Sequence, residues 1–245
     1  MNQRITIAAC QLLDLQDDQE QSLARIIDYA SQAAEQGAQL VCFPECYLQG
    51  YIVEEQAARQ RAIGLSSVEF NSILKRLAVV QPLVVLGMIE QAGDKIYITA
   101  VVLKQGELLG RYRKIRLAAF ESIYAPGAQV PIFEVEGLRF GINICYELNF
   151  AECAAAVASQ GAKFMVCLCY NMLSYQNAEN WKFRHNAIRA ERTVETGLWL
   201  LSADVTGKRD GQISYGPTAL IDPQGTVVAQ VPLMEEGLIV QEITL

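Results

Sequence analysis

Cys145 ends the apolar run Phe140-Gly141-Ile142-Asn143-Ile144, and a helix-like stretch follows from Asn149 to Gln160. A thiol between a strand end and the next helix is placed for nucleophilic attack, and the positive end of that helix would favour thiolate over thiol. The sequence has one histidine, His185, in a different segment, where it reads as an ordinary helix-face residue. A Cys-His or Ser-His-Asp arrangement therefore has almost no material, so a carboxylate or an amine must carry the protons. Two such groups stand at other predicted strand ends: Glu45 in Cys42-Phe43-Pro44-Glu45 and Lys114 in Arg111-Tyr112-Arg113-Lys114. Strand ends along one rim of a sheet are where α/β domains place reactive groups. Period-two alternation puts Arg111 and Arg113 on a solvated face, with Tyr112 and Lys114 pointing inward. Taken singly, Pro44-Glu45 also fits a solvated turn and Cys145 a buried structural cysteine.

Apolar runs alternate with helical stretches from end to end, which reads as an α/β layered domain covering 1–245. Strands are predicted at Ile5–Cys10, Gln39–Phe43, Leu83–Ile89 and Lys163–Tyr170. Hairpins are predicted at Tyr97–Lys104 with Glu107–Tyr112, turning at Gln105-Gly106, and at Ile132–Val135 with Leu138–Ile144, turning at Glu136-Gly137. Helices are predicted at Asp17–Gln36, from a Ser66-Ser67-Val68-Glu69 capping box through Val80, at Asn149–Gln160, and as one long helix at Ala178–Thr196. Trp199–Ala203, Ser214–Ile221 and Thr226–Val231 complete the sheet, the last two joined at Asp222-Pro223-Gln224-Gly225.

The composition narrows the partners. A net charge of -7 leaves no basic face for a phosphate backbone, so nucleic acid is not expected. Met1-Asn2-Gln3-Arg4 passes directly into an alternating run without a signal-peptide core, and no apolar stretch reaches membrane-spanning length, so a cytoplasmic protein off the membrane is expected. The seven cysteines are an odd number in strand-like contexts, which favours reduced, buried thiols over disulfides. Neither Cys42/Cys46 nor Cys167/Cys169 has C-x2-C spacing, and no histidine is near them, so no metal is expected.

Together these segments resemble the nitrilase, or carbon–nitrogen hydrolase, superfamily. Phe43-Pro44-Glu45 with Gly50-Tyr51 is similar to the family's glutamate segment, and Tyr112-Arg113-Lys114 with Leu117 to its lysine segment. Glu121 falls where a second glutamate usually follows, and Pro126-Gly127 precedes the cysteine motif as in relatives. Gly141 to Glu147, with Phe150 and Glu152, is similar to the nucleophile segment. Trp181, Arg192-Thr193-Val194-Glu195, Ala203 to Gly207 and the closing Glu236-Gly237-Leu238-Ile239 extend the likeness along the chain.

The resemblance implies a four-layer α-β-β-α sandwich, usually paired into a homodimer, and a cofactor-independent Glu-Lys-Cys hydrolase acting on a small-molecule amide. Cys145 would be the nucleophile, Glu45 the general base and acid, and Lys114 the oxyanion partner, with Glu121 positioning Lys114 or the substrate. Tyr51, Tyr146 and Asn171 would line the pocket, and Arg192 with Glu195 would brace the site or an interface. Asn149 stands where the family commonly has arginine, Arg116 where histidine is frequent, and Gly216-Pro217-Thr218 in place of Gly-His-Ser, so specificity is the open part. N-carbamoyl or nitrile hydrolysis are alternatives within the class. A catalytically idle binding or scaffold protein is the alternative outside it, disfavoured because Glu45, Lys114 and Cys145 are all retained.

Overall fold

The structure, a computed structural model, describes residues 4–16 and 18–244. The predicted helix start at Asp17 and the segment Met1-Asn2-Gln3 lie outside the described residues. The first half runs β1 (Arg4–Leu13), α1 (Gln19–Glu35), β2 (Leu40–Cys42), α2 (Glu55–Arg61), β3 (Ile63–Gly64), α3 (Val68–Leu77), β4 (Leu83–Ala92), β5 (Lys95–Lys104) and β6 (Glu107–Arg113). The second runs β7 (Phe133–Val135), β8 (Leu138–Ile144), α4 (Ala151–Ser159), β9 (Phe164–Leu168), β10 (Leu173–Ser174), α5 (Tyr175–Trp181) and α6 (Arg184–Thr196). It closes with β11 (Trp199–Arg209), β12 (Gln212–Ser214), β13 (Ala219–Ile221), β14 (Val227–Gln230) and β15 (Gly237–Thr244).

The strands follow one curled path, β6-β5-β4-β2-β1-β11-β9-β8-β7. β1 meets β11 only at Gln11–Leu13 against Asp204–Thr206, while its longer stretch pairs antiparallel with β15. The sheet turns at that short junction, so its halves face each other. Alternating side chains then fill the space between them: Ile7, Val85, Ile98 and Val102 from one half meet Phe140, Ile142, Val166 and Leu201 from the other. The outer face of the first half is covered by α1 and α3 through Leu23, Ile26, Phe70 and Ile73. The outer face of the second is covered by α4 and α6, with Ala154 and Val157 packed on Met165 and Leu200. These three cores are the spaces between the layers of an α-β-β-α sandwich.

Local chemistry sets the boundaries. Asp18 caps α1 by accepting from the Gln21 N–H at 2.8 Å, and Ser67 caps α3 through Phe70 N–H at 3.0 Å, one residue later than the predicted capping box. Both predicted hairpin turns place consecutive residues at positive φ, Gln105-Gly106 and Glu136-Gly137. A third such turn, Asp210-Gly211, extends β11 beyond its predicted end and pairs it with β12. The long helix predicted at Ala178–Thr196 is broken at Lys182-Phe183 into α5 and α6.

Candidate active site

Parallel pairing brings the predicted residues to one rim. β2 pairs parallel with β4, and β8 with β9, so the segments leaving β2, β6, β8 and β9 emerge together. Glu45 follows β2, Lys114 follows β6 and Cys145 follows β8, and all three line one cavity of about 530 Å³. Glu121, Tyr51, Tyr146, Asn149 and Asn171 line it too. Close backbone packing makes this convergence possible. A Cβ on Gly87 of β4 would stand 2.3 Å from the Pro44 carbonyl and 2.8 Å from the Glu45 Cα, and one on Gly127 would stand 2.2 Å from the Arg113 carbonyl. Only glycine lets β4 pass behind Glu45, and lets the loop at Pro126-Gly127 close on the end of β6.

Glu45, Lys114 and Glu121 are each 1% exposed. The Lys114 ammonium donates to Glu45 Oε1 at 2.8 Å and to Glu121 Oε1 at 2.6 Å. Burial alone would depress Lys114, but the adjoining Glu45 and Glu121 carboxyl groups outweigh it and hold the amine cationic. At Glu45 burial wins instead. Burial raises its pKa well above the ordinary carboxylate range, and Lys114 only partly offsets that. Its second oxygen, Oε2, is buried with no hydrogen-bond partner, which leaves it open to a proton. Glu121 is buried beside Lys114. It also accepts from Tyr51 Oη at 2.5 Å and from Ala118 N–H at 2.6 Å.

Cys145 lies at φ +46°, a left-handed conformation that costs a non-glycine residue about 1–3 kcal/mol. Cys46, directly after Glu45, shares that conformation at φ +52°. The expected helix dipole is not there, since Cys145 opens a short 3-10 turn to Asn149 and α4 begins only at Ala151. Register sets its true neighbour: Ile144 pairs with Leu168, so the next residues, Cys145 and Cys169, stand side by side. Contact with the Cys169 thiol, together with burial, pushes Cys145 well above the usual thiol range, against the pull of Lys114. The resting group is a thiol, contrary to the thiolate expected from the sequence. The remaining cysteines are buried apart from Cys153, whose thiol is pushed to about 11 by partial burial. Iodoacetamide followed by peptide mapping is expected to label Cys145 first, at a rate still climbing above pH 8. A plateau reached below pH 7 would show a preformed thiolate instead.

The sequence reading left Glu147 without a role, and the structure gives it four donors. Its carboxylate accepts from Tyr112 Oη at 2.7 Å, Ile115 N–H at 2.7 Å and Arg116 N–H at 3.1 Å, and from Ile144 N–H at 2.7 Å. One side chain thus ties the backbone around Lys114 to the residue before Cys145. Burial raises its pKa, with the Tyr112 hydrogen bond opposing. Glu147→Gln places an amide N–H among these donors and is expected to cost about 2–4 kcal/mol, read by denaturant unfolding.

Other placements differ in detail from expectation. Asn171 is set by Asp204, which accepts from its backbone N–H and side-chain amide, and its Oδ1 lies 3.7 Å from Cys145 Sγ. Tyr51 stacks on Tyr170, with ring centroids 4.5 Å apart. Asn149 turns back to donate to the Tyr146 carbonyl at 2.9 Å. His185 faces the cavity beside Trp181 and is no ordinary helix-face residue. Burial, then the Arg189 charge, lowers its pKa to about 3, so it is neutral. Arg192 pairs with Glu195 at 2.9 Å and reaches the Leu148 carbonyl, which braces the turn after Cys145. Arg111 and Arg113 are not merely solvated, since both engage the buried Glu90. Among the described residues no group of three or more His, Cys, Asp or Glu side chains is placed to hold a metal ion.

The model of the carbon–nitrogen hydrolase family matches residues 6–245. The chain belongs to that family. Among relatives of this carbon–nitrogen hydrolase, the human omega-amidase NIT2 is 25% identical over 258 residues, covering 99% of this chain and 88% of that protein. A glutamine-dependent NAD(+) synthetase of Xanthomonas campestris is 29% identical over 231 residues, covering 90% of this chain but 40% of the synthetase. The chain therefore spans well under half the length of that relative. An amidase from Nesterenkonia sp. AN1, solved with acrylamide added to its active-site cysteine, superposes with a TM-score of 0.83 at 26% identity, covering 96% of this chain and 92% of that one. Saccharomyces cerevisiae Nit3 shares the fold at a TM-score of 0.86 and 23% identity, over 98% of this chain and 90% of its own. No helix among the described residues is long and apolar enough to cross a membrane.

Proposed function

We propose that this carbon–nitrogen hydrolase converts a small linear amide to carboxylate and ammonia through a thioester on Cys145. The observation that carries this reading is the buried Glu45–Lys114–Glu121 cluster, with Glu45 Oε2 unpartnered, on the cavity that Cys145 enters. Glu45 takes the thiol proton as Cys145 attacks the carbonyl carbon. Negative charge develops on the carbonyl oxygen, where the Lys114 ammonium and the Tyr146 backbone N–H stabilise it. Glu45 passes the proton to the departing nitrogen, the C–N bond breaks and ammonia leaves. Glu45 then deprotonates the water that attacks the thioester, and the carboxylate departs as the thiol reforms. A carboxyl group with a raised pKa suits this exchange, because the best proton carrier titrates near the working pH. Glu121 holds Lys114 in place between turnovers. The names of the human omega-amidase and the Nesterenkonia amidase support an amide substrate.

Ammonia release across amides, N-carbamoyl compounds and nitriles tests the proposal, with Cys145→Ala as the control. Turnover of amides that is lost in the variant is expected, and it is expected to survive EDTA because Cys145, Glu45 and Lys114 supply nucleophile, proton carrier and electrophile. Turnover confined to nitriles or carbamoyl compounds would overturn the amide assignment.

A further inference from the structure

The reacting groups occupy one end of a cavity of about 530 Å³, far more space than an acetyl group fills. Much of the remaining wall is apolar, with Phe120, Tyr146, Leu148, Phe150, Trp181 and Ile188 beside the polar Asn149, Asn171, His185 and Arg189. Phe120 is 62% exposed although it adjoins the buried Glu121, and it belongs to none of the three cores. Tyr146 and Phe150 meet edge to face, with ring centroids 5.2 Å apart, and present a rigid aromatic corner.

Charge tells the same story, because each cationic side chain lining the cavity already has a partner. Lys114 is held by Glu45 and Glu121, and Arg189 by Asp204 at 3.5 Å and the Pro217 carbonyl. His185 is neutral, and Asn149 spends its amide on Tyr146. Arg116 and Arg184 lie outside the lining: Arg116 pairs with Glu152 at 3.0 Å, and the Arg184 guanidinium sits 4.8 Å from the Trp181 ring centroid. Arg116 also stands 5.4 Å from the Phe150 ring centroid, so a carboxylate on the substrate's tail would lose its water here and meet cations that are already paired or stacked on the wall's rings.

We propose that the acyl half of the substrate is uncharged and apolar, the size of an arylalkanoyl or medium-chain alkanoyl group, and that this wall selects it. The inference rests on the amidase reading and names its substrate class. Each methylene carried into the wall should raise kcat/KM roughly three- to fourfold. Hexanamide and 3-phenylpropanamide should therefore exceed acetamide by at least about tenfold, and the monoamides of succinate and glutarate should fall below it. Phe120→Ala, at an exposed position, should cut the preference for 3-phenylpropanamide over acetamide by about tenfold, mainly through KM.

A flat neutral series, or a preference for the anionic monoamides, overturns the inference and leaves the amidase reading standing. If no amide releases ammonia, the amidase reading fails, and a binding measurement without turnover decides the acyl class. Aldehydes add to a thiol by forming a C–S bond while the thiol proton passes to the aldehyde oxygen. Protection of Cys145 from iodoacetamide should therefore need less 3-phenylpropanal than propanal or succinic semialdehyde, and the reverse order overturns the inference.

Discussion

Glu45→Gln is expected to lower kcat/KM by about 10²–10⁴-fold while leaving a folded protein. The amide oxygen of glutamine can still accept from Lys114, which keeps its second partner, Glu121, at 2.6 Å. The variant loses the unpartnered carboxylate oxygen Oε2, which in the proposed mechanism receives the thiol proton and returns it to the leaving nitrogen. Unfolding stability should fall by about 1–3 kcal/mol, since the new amide N–H is buried without a partner while Lys114 keeps Glu121 as its counter-charge. The pH profile gives a second readout. Burial lifts Glu45 above its ordinary 4.5, and the base must be ionised to act, so wild-type kcat/KM should begin falling on acidification while the pH is still above that value. Residual activity of Glu45→Gln should lack this limb. A variant with near-normal turnover and the same limb would remove Glu45 from the chemistry.

Much of the fold was legible because the elements carry their own signals. Leu138–Ile144 was read with its observed bounds, and the turns Gln105-Gly106 and Glu136-Gly137 announce themselves through glycine after a residue that tolerates positive φ. Misses fall where tertiary contacts override periodicity. The helical pattern across Ala178–Thr196 continues through Lys182-Phe183, yet the chain turns there so that Trp181 and His185 both line the cavity. Glu55–Arg61 went unread because its seven residues bury only Ala58. β15 was read only as a closing stretch of family likeness at Glu236 to Ile239, since its place beside β1 depends on a pairing across more than 200 residues.

The rim was legible for the same reason the fold was: a reactive side chain directly after an apolar run is a strand-end residue. What the sequence did not disclose is who stands beside whom. Cys169 becomes the neighbour of Cys145 only through the parallel register of β8 and β9, and that neighbour reverses the expected direction of the thiol's pKa. Glu147 sat within the quoted motif, but its task depends on Ile115 and Arg116, about thirty residues earlier, folding over it. His185 looked peripheral because nothing in its local pattern reveals that α6 aims it at the pocket.

Lys114→Ala is expected to damage both catalysis and stability, which separates it from Glu45→Gln. Removing an oxyanion donor alone costs about 10²–10³-fold in turnover, and loss of the cation that orients Glu45 adds to this. A solvated lysine could be removed at little structural cost. The observed burial changes that expectation. Glu45 and Glu121 would be left as two buried carboxyl groups without the ammonium between them, and removing one partner of a buried ion pair typically costs about 3–5 kcal/mol. The sign of the pH dependence follows. Glu45 is already raised by burial, and without Lys114 the interaction that pulls it down is gone, so its folded-state pKa climbs further above its unfolded value. Such a group destabilises the fold at high pH, and the penalty disappears as pH falls below the unfolded value. The stability deficit of Lys114→Ala against wild type should therefore shrink as pH falls through the raised folded-state range of Glu45 toward its ordinary 4.5, measured by urea unfolding. A deficit that is constant over that range, or absent, would mean that Lys114 does not hold the buried carboxyl pair together.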